Sequence, residues 1–266
     1  MQTISITDLT TGYKAKKGCA EVSCNLTSAL QANQLTCLLG PNGAGKSTLL
    51  RTLCGFQPPL SGSVQIMGRE LESYTKGELS KLVSVVLTDN SGIREMSAWD
   101  VVGMGRSPYT GFWGRLSHHD EEVIAESMSL VDIEWLKDRK MHTLSDGECQ
   151  KVMIAKALAQ ETPIIVLDEP TAFLDYPSKI QMMLLLKELA RSLQKTIFLS
   201  THDLEHALQI ADCIWLLDKQ QGFTTGTPYD LCKDGSIERY FSRKGIEPLL
   251  HSVVEGIIQD SLETLG

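Results

Sequence analysis

The sequence predicts an α/β fold interrupted by a helical insertion, and two observations carry that reading. Short apolar runs of strand length alternate with amphipathic helices toward both ends of the chain, whereas residues 89–160 read as helices and loops. A glycine-rich loop, Gly40-Pro41-Asn42-Gly43-Ala44-Gly45-Lys46-Ser47-Thr48, joins one such strand to one such helix.

Each element follows from its pattern. Ile4 to Leu9 alternates as a strand does, and Leu35 to Leu39 is a short continuous apolar run, as expected of a buried strand. Ser47 to Cys54 carries helical spacing at Leu49, Leu50 and Leu53, with Gly55 placed to end the helix. Gly62 to Gly68 and Leu82 to Leu87 read as further strands. The insertion contains a glycine- and aromatic-rich stretch, Gly103 to Leu116, and an amphipathic run over 121–131. Alternation resumes with Ile164 to Leu167, a helix over 179–193, Thr196 to Ser200, and Cys213 to Leu217 paired with a strand at 223–225. Residues 1–240 are thus expected to form one domain with a helical subdomain at about 89–160. The tail, 241–266, has helical spacing from Ile246 to Leu262, which suits either packing on a second subunit or folding back on its own domain.

Composition narrows the class. At 266 residues, with 42% hydrophobic and 22% charged residues, the chain matches a globular protein able to bury a sizeable core. No apolar run approaches the ~20 residues that span a bilayer, and the first residues lack a signal-peptide pattern. A cytosolic protein is expected, with any membrane role reached through a partner. The net charge of −8 argues against a nucleic-acid surface. Seven scattered cysteines without a C-x-x-C pair read as reduced thiols. His118-His119 beside Asp120, Glu121 and Glu122 reads as a solvated helix start rather than a metal site, since no second ligand pair accompanies it.

The loop fits G-x-x-x-x-G-K-[ST]. Its glycines let backbone N–H groups converge on a polyphosphate, and the helix that follows adds the positive end of its dipole. Lys46 would reach the outer phosphates and the Ser47 hydroxyl would bind Mg²⁺. Ile164 to Leu167 delivers Asp168 and Glu169 at a strand end. Asp168 suits Mg²⁺, directly or through water, and Glu169 suits polarising a water for in-line attack. Ser145 and Glu148 form an S-x-x-E capping box at the start of another helix.

With the phosphate loop present, Leu144-Ser145-Asp146-Gly147-Glu148 resembles the L-S-G-G-Q signature of the ATP-binding-cassette (ABC) family, and the resemblance extends over nearly the whole chain. It implies an antiparallel β subdomain beside the nucleotide-binding core. It also implies that the Ser145–Gly147 helix start faces the γ-phosphate of ATP held by a second subunit, and that His202 is the switch histidine. Leu174-Asp175 resembles the D-loop at the dimer interface, and Tyr13 matches the aromatic residue on which adenine stacks. Gly103 to Tyr109 and Glu169 to Asp175 look like the ATPases of importers for iron-siderophores, haem and vitamin B12. The implied assembly is a homodimer sandwiching two ATP with Mg²⁺. It would sit on the cytoplasmic face against a polytopic permease in two copies, served indirectly by an external binding protein and with no nucleic acid. A soluble ABC ATPase acting in assembly or remodelling is the alternative. GTPases are disfavoured by the lack of an N-K-x-D motif.

Two positions depart from the family pattern. The usual glutamine after the strand ending at Leu87 is replaced by Thr88-Asp89, of which Asp89 is the better hard-cation ligand. Asp146 stands for the first signature glycine, where a carboxylate suits the helix dipole but opposes a nearby phosphate. The segment Met96 to Leu116, with Trp99, Tyr109, Phe112 and Trp113 in a chain only 6% aromatic, is the expected permease-docking surface.

Overall fold

The computed structural model describes residues 1–15, 18–87, 91–111, 114–241, 254, 256 and 257. Asp89 and Thr88, Phe112 and Trp113, and nearly all of the tail therefore lie outside the described residues. In chain order the strands are β1 (Gln2–Ala15), β2 (Gly18–Gln31), β3 (Leu35–Leu39), β4 (Ser61–Ile66) and β5 (Arg69–Glu70). They continue with β6 (Val83–Val86), β7 (Ile164–Asp168), β8 (Thr196–Thr201), β9 (Cys213–Asp218) and β10 (Gly222–Gly226). The helices are α1 (Lys46–Leu53), α2 (Lys76–Leu79), α3 (Ala98–Gly103), α4 (His118–Ser129) and α5 (Asp146–Ala159). After them come α6 (Tyr176–Ser192), α7 (Leu204–Ile210), α8 (Pro228–Lys233) and α9 (Ser236–Phe241). The chain divides into two compact units, Met1–Ser73 with Leu186–Gly266, and Tyr74–Leu185.

In the first unit an antiparallel sheet runs in the order β2-β1-β4-β5. The expected strand at Ile4 to Leu9 is the buried part of a longer β1, in which Ile4, Ile6 and Leu9 face the core. Its register slips between Ile6 and Leu9, where Asp8 takes φ 49, as in a β-bulge. The strand β2 had no counterpart in the sequence pattern. Its burial follows no period-two pattern, with Leu26 and Leu30 buried among exposed and half-buried residues, and its ladder with β1 makes it a strand. The same unit holds β10-β9-β3-β8, with β3 parallel to both neighbours and β9–β10 the expected antiparallel pair. All five residues of β3 and all six of β8 are buried, the continuous burial of interior parallel strands. Trp215 is fully buried, 4.9 Å from Phe198 and edge-on to Phe223 at 5.4 Å between ring centroids.

In the second unit β6 and β7 pair in parallel, and α3, α4 and α5 pack on one another. Gly105 sits where an added Cβ would collide with the carbonyl of Lys156, so the turn after α3 approaches α5 more closely than any side chain permits. Next to it Arg106 is buried. Its Nε donates to Asp120 Oδ1 at 2.8 Å and its Nη1 to Glu161 Oε2 at 2.6 Å and to the carbonyl of Ala159 at 2.7 Å. His118 and His119 are exposed and both lie near Glu122 at the capped start of α4. Among the described residues no group of His, Cys, Asp and Glu is arranged to hold a metal ion, and all seven cysteines are free thiols.

Asp120 is held far below the usual carboxylate range, at about 2, by hydrogen bonds from the Ser117 hydroxyl and backbone N–H and by Arg106. A folded-state value below the unfolded one stabilises above about pH 4, and that contribution is lost as pH falls toward 2. Asp120→Ala is expected to lower stability by about 3 kcal/mol at pH 7, through loss of a buried ion pair and a cap. The variant should also lose less on acidification than the parent. Thermal melts at pH 7 and pH 3 check this, and equal acid sensitivity would refute it.

Candidate functional site

The glycine-rich loop leaves the C-terminal end of β3 and enters α1. Gly43 (φ 79) and Gly45 (φ 111) are both left-handed, and no side chain caps α1 at Gly45. A helix start without a side-chain cap, following a glycine turn, is a favourable place for an anion. Three glycines are required for distinct reasons. A Cβ at Gly40 would collide with the carbonyl of Leu217 on β9, and one at Gly45 would lie 2.6 Å from Val22 Cγ1 and 2.7 Å from Ser23 Oγ on β2. At Gly43 nothing lies within 4 Å, and the positive φ alone favours glycine. Gly40 and Gly45 thus let the loop lie close against β9 and β2, and Gly43 leaves its outer surface open, where a phosphate can approach the backbone.

Lys46 is only 6% exposed, and its Nζ donates to the carbonyls of Gly40 at 2.9 Å and Pro41 at 3.3 Å. The ammonium is therefore folded across the loop. Tyr13 Oη and Thr48 Oγ1 are 3.1 Å apart, while 49% of Tyr13 remains exposed. Its phenol end is anchored to the loop helix and part of its surface stays open for stacking. The outer side of the loop, Pro41 to Ala44, borders a cleft of about 370 Å³ shared with the β9–β10 turn and Tyr240. The register of β3 with β8 pairs Leu39 with Thr201, so Gly40 and His202 leave adjacent strands at the same end, and His202 is exposed there. The first unit accordingly gathers the loop, Lys46, Ser47, Thr48, Tyr13 and His202.

The second unit holds the other predicted residues. Asp168 ends β7, and Glu169 follows with φ 49, an uncommon conformation for a side chain without glycine's freedom. Backbone strain of that kind concentrates at functional positions. Since β6 pairs Val86 with Leu167, the chain leading to Thr88 and Asp89 departs at the same end as Asp168. Ser145 is the N-cap of α5, as the capping box predicts. Its N–H and Oγ meet Glu148 Oε2 at 2.8 and 3.0 Å, and its Oγ accepts from the Glu148 N–H at 3.4 Å. Asp146 is exposed in the first turn of α5. Gly147 lies beside Leu174, the residue before Asp175, but a Cβ there would be 3.7 Å from Leu174 Cδ2, an ordinary contact.

Asp175 has a local task as well: Oδ1 accepts from the N–H of Ser178 at 3.0 Å at the start of α6. Hydrogen bonds from the Ser178 side chain and backbone lower its pKa. In the expected docking segment, Trp99 is half-buried with Lys137 Nζ 4.2 Å from its ring centroid. Tyr109 is 40% exposed, stacks under the Arg106 guanidinium at 4.2 Å, and donates to the carbonyl of Gln160 at 3.0 Å. Sequence reasoning did not find Val22, Ser23 and Leu217 behind the loop, or Arg106 behind Tyr109. Each meets its partner through tertiary packing and leaves no motif of its own.

A phosphate cradle on a strand–loop–helix unit, with a buried lysine across it, defines a phosphate-loop nucleotide-binding protein. The chain belongs to the ABC transporter family, whose family model matches residues 24–172. It is an ATP-binding cassette that hydrolyses ATP. An uncharacterised ABC transporter ATP-binding protein of Methanocaldococcus jannaschii is 40% identical over 81% of this chain and 74% of its own length. The ferric enterobactin transport ATP-binding protein of Escherichia coli is 34% identical over 88% of this chain and 84% of its own. Among solved structures, an inward-facing putative metal-chelate type ABC transporter matches with a TM-score of 0.78 at 29% identity, covering 91% of this chain and 89% of that one. A dimeric bacterial ABC transporter cassette matches with a TM-score of 0.70 at 28% identity over 80% and 94%. No helix among the described residues is long and apolar enough to cross a membrane.

Proposed function

We propose that the chain is the ATPase subunit of an importer for an iron-siderophore, haem or cobalamin. It works as a homodimer that sandwiches ATP against a polytopic membrane permease, itself fed by an external binding protein. The observation that carries the dimeric reading is Gly147 in the first turn of α5, where among the described residues a Cβ would meet only Leu174, at an ordinary 3.7 Å, so that a phosphate held by a second copy has room to approach the helix start. The dimeric cassette among the structural relatives supports the same arrangement. The importer class is supported by the transport proteins this chain resembles.

The roles divide by chemistry. Backbone N–H groups from Gly40 to Thr48 and the Lys46 ammonium hold the phosphates, and Tyr13 offers a face to adenine. Ser47 and Asp168, with Asp89, supply the hard oxygen donors that Mg²⁺ prefers, and a bound Mg²⁺ would neutralise charge on the outer phosphates. Glu169 takes the proton of the attacking water while the bond between the γ-phosphorus and the bridging oxygen breaks, leaving ADP and phosphate. His202 contacts the γ-phosphate. Ser145 and Gly147 close the site from the other subunit, and Asp175 lies at that interface.

Ser145→Arg tests the cross-subunit role. The monomer should fold and bind ATP, yet fail to dimerise on ATP, because the side chain fills the helix start that meets the partner's phosphate. Size-exclusion chromatography with and without ATP checks this, and parental dimerisation would refute the role.

Met96 to Leu116 is the proposed permease contact, and alanine at both Phe112 and Trp113 is the corresponding test. Both lie outside the described residues, and aromatic side chains suit an interface because they bring large area at low entropic cost. The double variant should lose co-purification with the co-expressed permease while the isolated subunit still binds ATP. Retained assembly with coupled uptake would remove the docking assignment.

A further inference from the structure

We propose that Lys156 receives an acidic side chain of the membrane permease, in a cleft of the second unit that continues the docking segment Met96 to Leu116. The cleft has a volume of about 890 Å³ and lies between α2, the turn after α3 and the C-terminal half of α5. Met104, Ser107 and Pro108 of the docking segment line one side of it, and Lys156 lines the side formed by α5. The fold itself braces these sides. Just past the end of α5, Gln160 Nε2 donates to the carbonyls of Ser80 at 2.6 Å and Val83 at 3.2 Å. The carbonyl of Gln160 in turn accepts from the Tyr109 hydroxyl at 3.0 Å.

Charge selects the occupant. The chain carries a net charge of −8, yet Lys76, Lys81 and Lys156 line this cleft against one carboxylate, that of Glu78. Glu78 serves the capping box of α2, accepting from the N–H and the hydroxyl of Thr75, each at 2.8 Å. Among the described residues none of the three lysines is in an ion pair. Lys76 and Lys81 are exposed, so water can solvate them. Lys156 is half-buried on α5, and burial lowers its pKa. A lysine that only spread its stem over the core would keep its ammonium in open solvent. A partly desolvated ammonium without a counter-charge is unfavourable in the isolated subunit. A carboxylate entering with the permease offsets that cost and fixes the register of docking.

The inference rests on the docking reading above, and the complex of the full chain with the co-expressed permease tests it. A carbodiimide, which joins an amine directly to a carboxylate, should link Lys156 to an aspartate or glutamate of the permease, located by mass spectrometry. Lys156→Met keeps the stem and removes the charge. It should bind the detergent-solubilised permease ~10-fold more weakly or worse, the scale of a lost hydrogen bond to a charged group. Hydrolysis of ATP by the isolated variant should stay parental. Lys156→Arg should keep most of the affinity, and Lys156→Glu should bind more weakly than Lys156→Met. Changing the linked permease carboxylate to lysine should restore binding to Lys156→Glu. Parental affinity in Lys156→Met, equal affinity in Lys156→Met and Lys156→Glu, or a link from Lys156 to a second copy of this chain would each overturn the proposal. If Lys156→Met fails to fold, the link formed in the parental complex decides. The Phe112 and Trp113 double alanine variant separates the two readings. Parental binding in that variant and in Lys156→Met removes the docking surface and this inference with it. Lost assembly in the aromatic variant beside parental binding by Lys156→Met removes this inference alone.

Discussion

Glu169→Gln is expected to bind ATP as the parent does and to lose at least ~10²-fold in turnover, the usual contribution of a general base. The substitution keeps side-chain shape and the capacity to accept a hydrogen bond but removes the basic oxygen pair. It also keeps the backbone demand, since Glu169 sits at φ 49 and glutamine meets the same steric cost there as glutamate. The loss should therefore fall on kcat, with little change in folding. A closed, ATP-loaded dimer should accumulate, because the ATP that joins the two subunits in the proposed sandwich is no longer turned over. Single-turnover hydrolysis and size-exclusion chromatography in ATP give the two readouts. Near-parental hydrolysis would show that another group accepts the proton.

Lys46→Ala should act at the earlier step and weaken ATP binding itself. Hydrogen bonds to charged groups contribute ~1.5–3 kcal/mol, so removing the ammonium should cost ~10- to 100-fold in affinity. The buried setting supports the upper part of that range, since Lys46 is 6% exposed and is held over the loop by the carbonyls of Gly40 and Pro41. Those carbonyls also lose a donor in the variant, so the empty loop should be less ordered. Titration calorimetry with Mg²⁺ present measures the effect. Unchanged affinity would mean that the loop amides alone hold the phosphates.

Much of the nucleotide site was legible because its parts are contiguous. The glycine spacing, the lysine and hydroxyl after it, and the strand before it all lie within one short stretch, where backbone conformation follows from local residue type. The capping box at Ser145 and Glu148 was legible for the same reason, and the structure places its hydrogen bonds between those two residues. The strand at β2 was not legible. Its burial is irregular, so no period-two apolar pattern exists to be read, and its partner β1 supplies the reason it is extended. The solvated start of α4 at His118 was anticipated, but the inward turn of Asp120 toward Arg106 was not.

What the sequence by itself determined was the strand–loop–helix cradle, the acidic strand end at Asp168 and Glu169, and the order of motifs that places the chain in its family. Tertiary structure alone decided which glycines face a neighbour: Gly40 against Leu217 and Gly45 against Val22 and Ser23, while a Cβ at Gly147 would make only an ordinary 3.7 Å contact with Leu174. It also decided that His202 shares a strand end with Gly40 and that Asp175 caps α6. The physical reason is range. Dihedral preference and helix capping act over a few residues and leave a pattern in the chain. Strand register and close backbone approach join residues such as Leu39 and Thr201, far apart in sequence, and are fixed only when the packed core selects one arrangement.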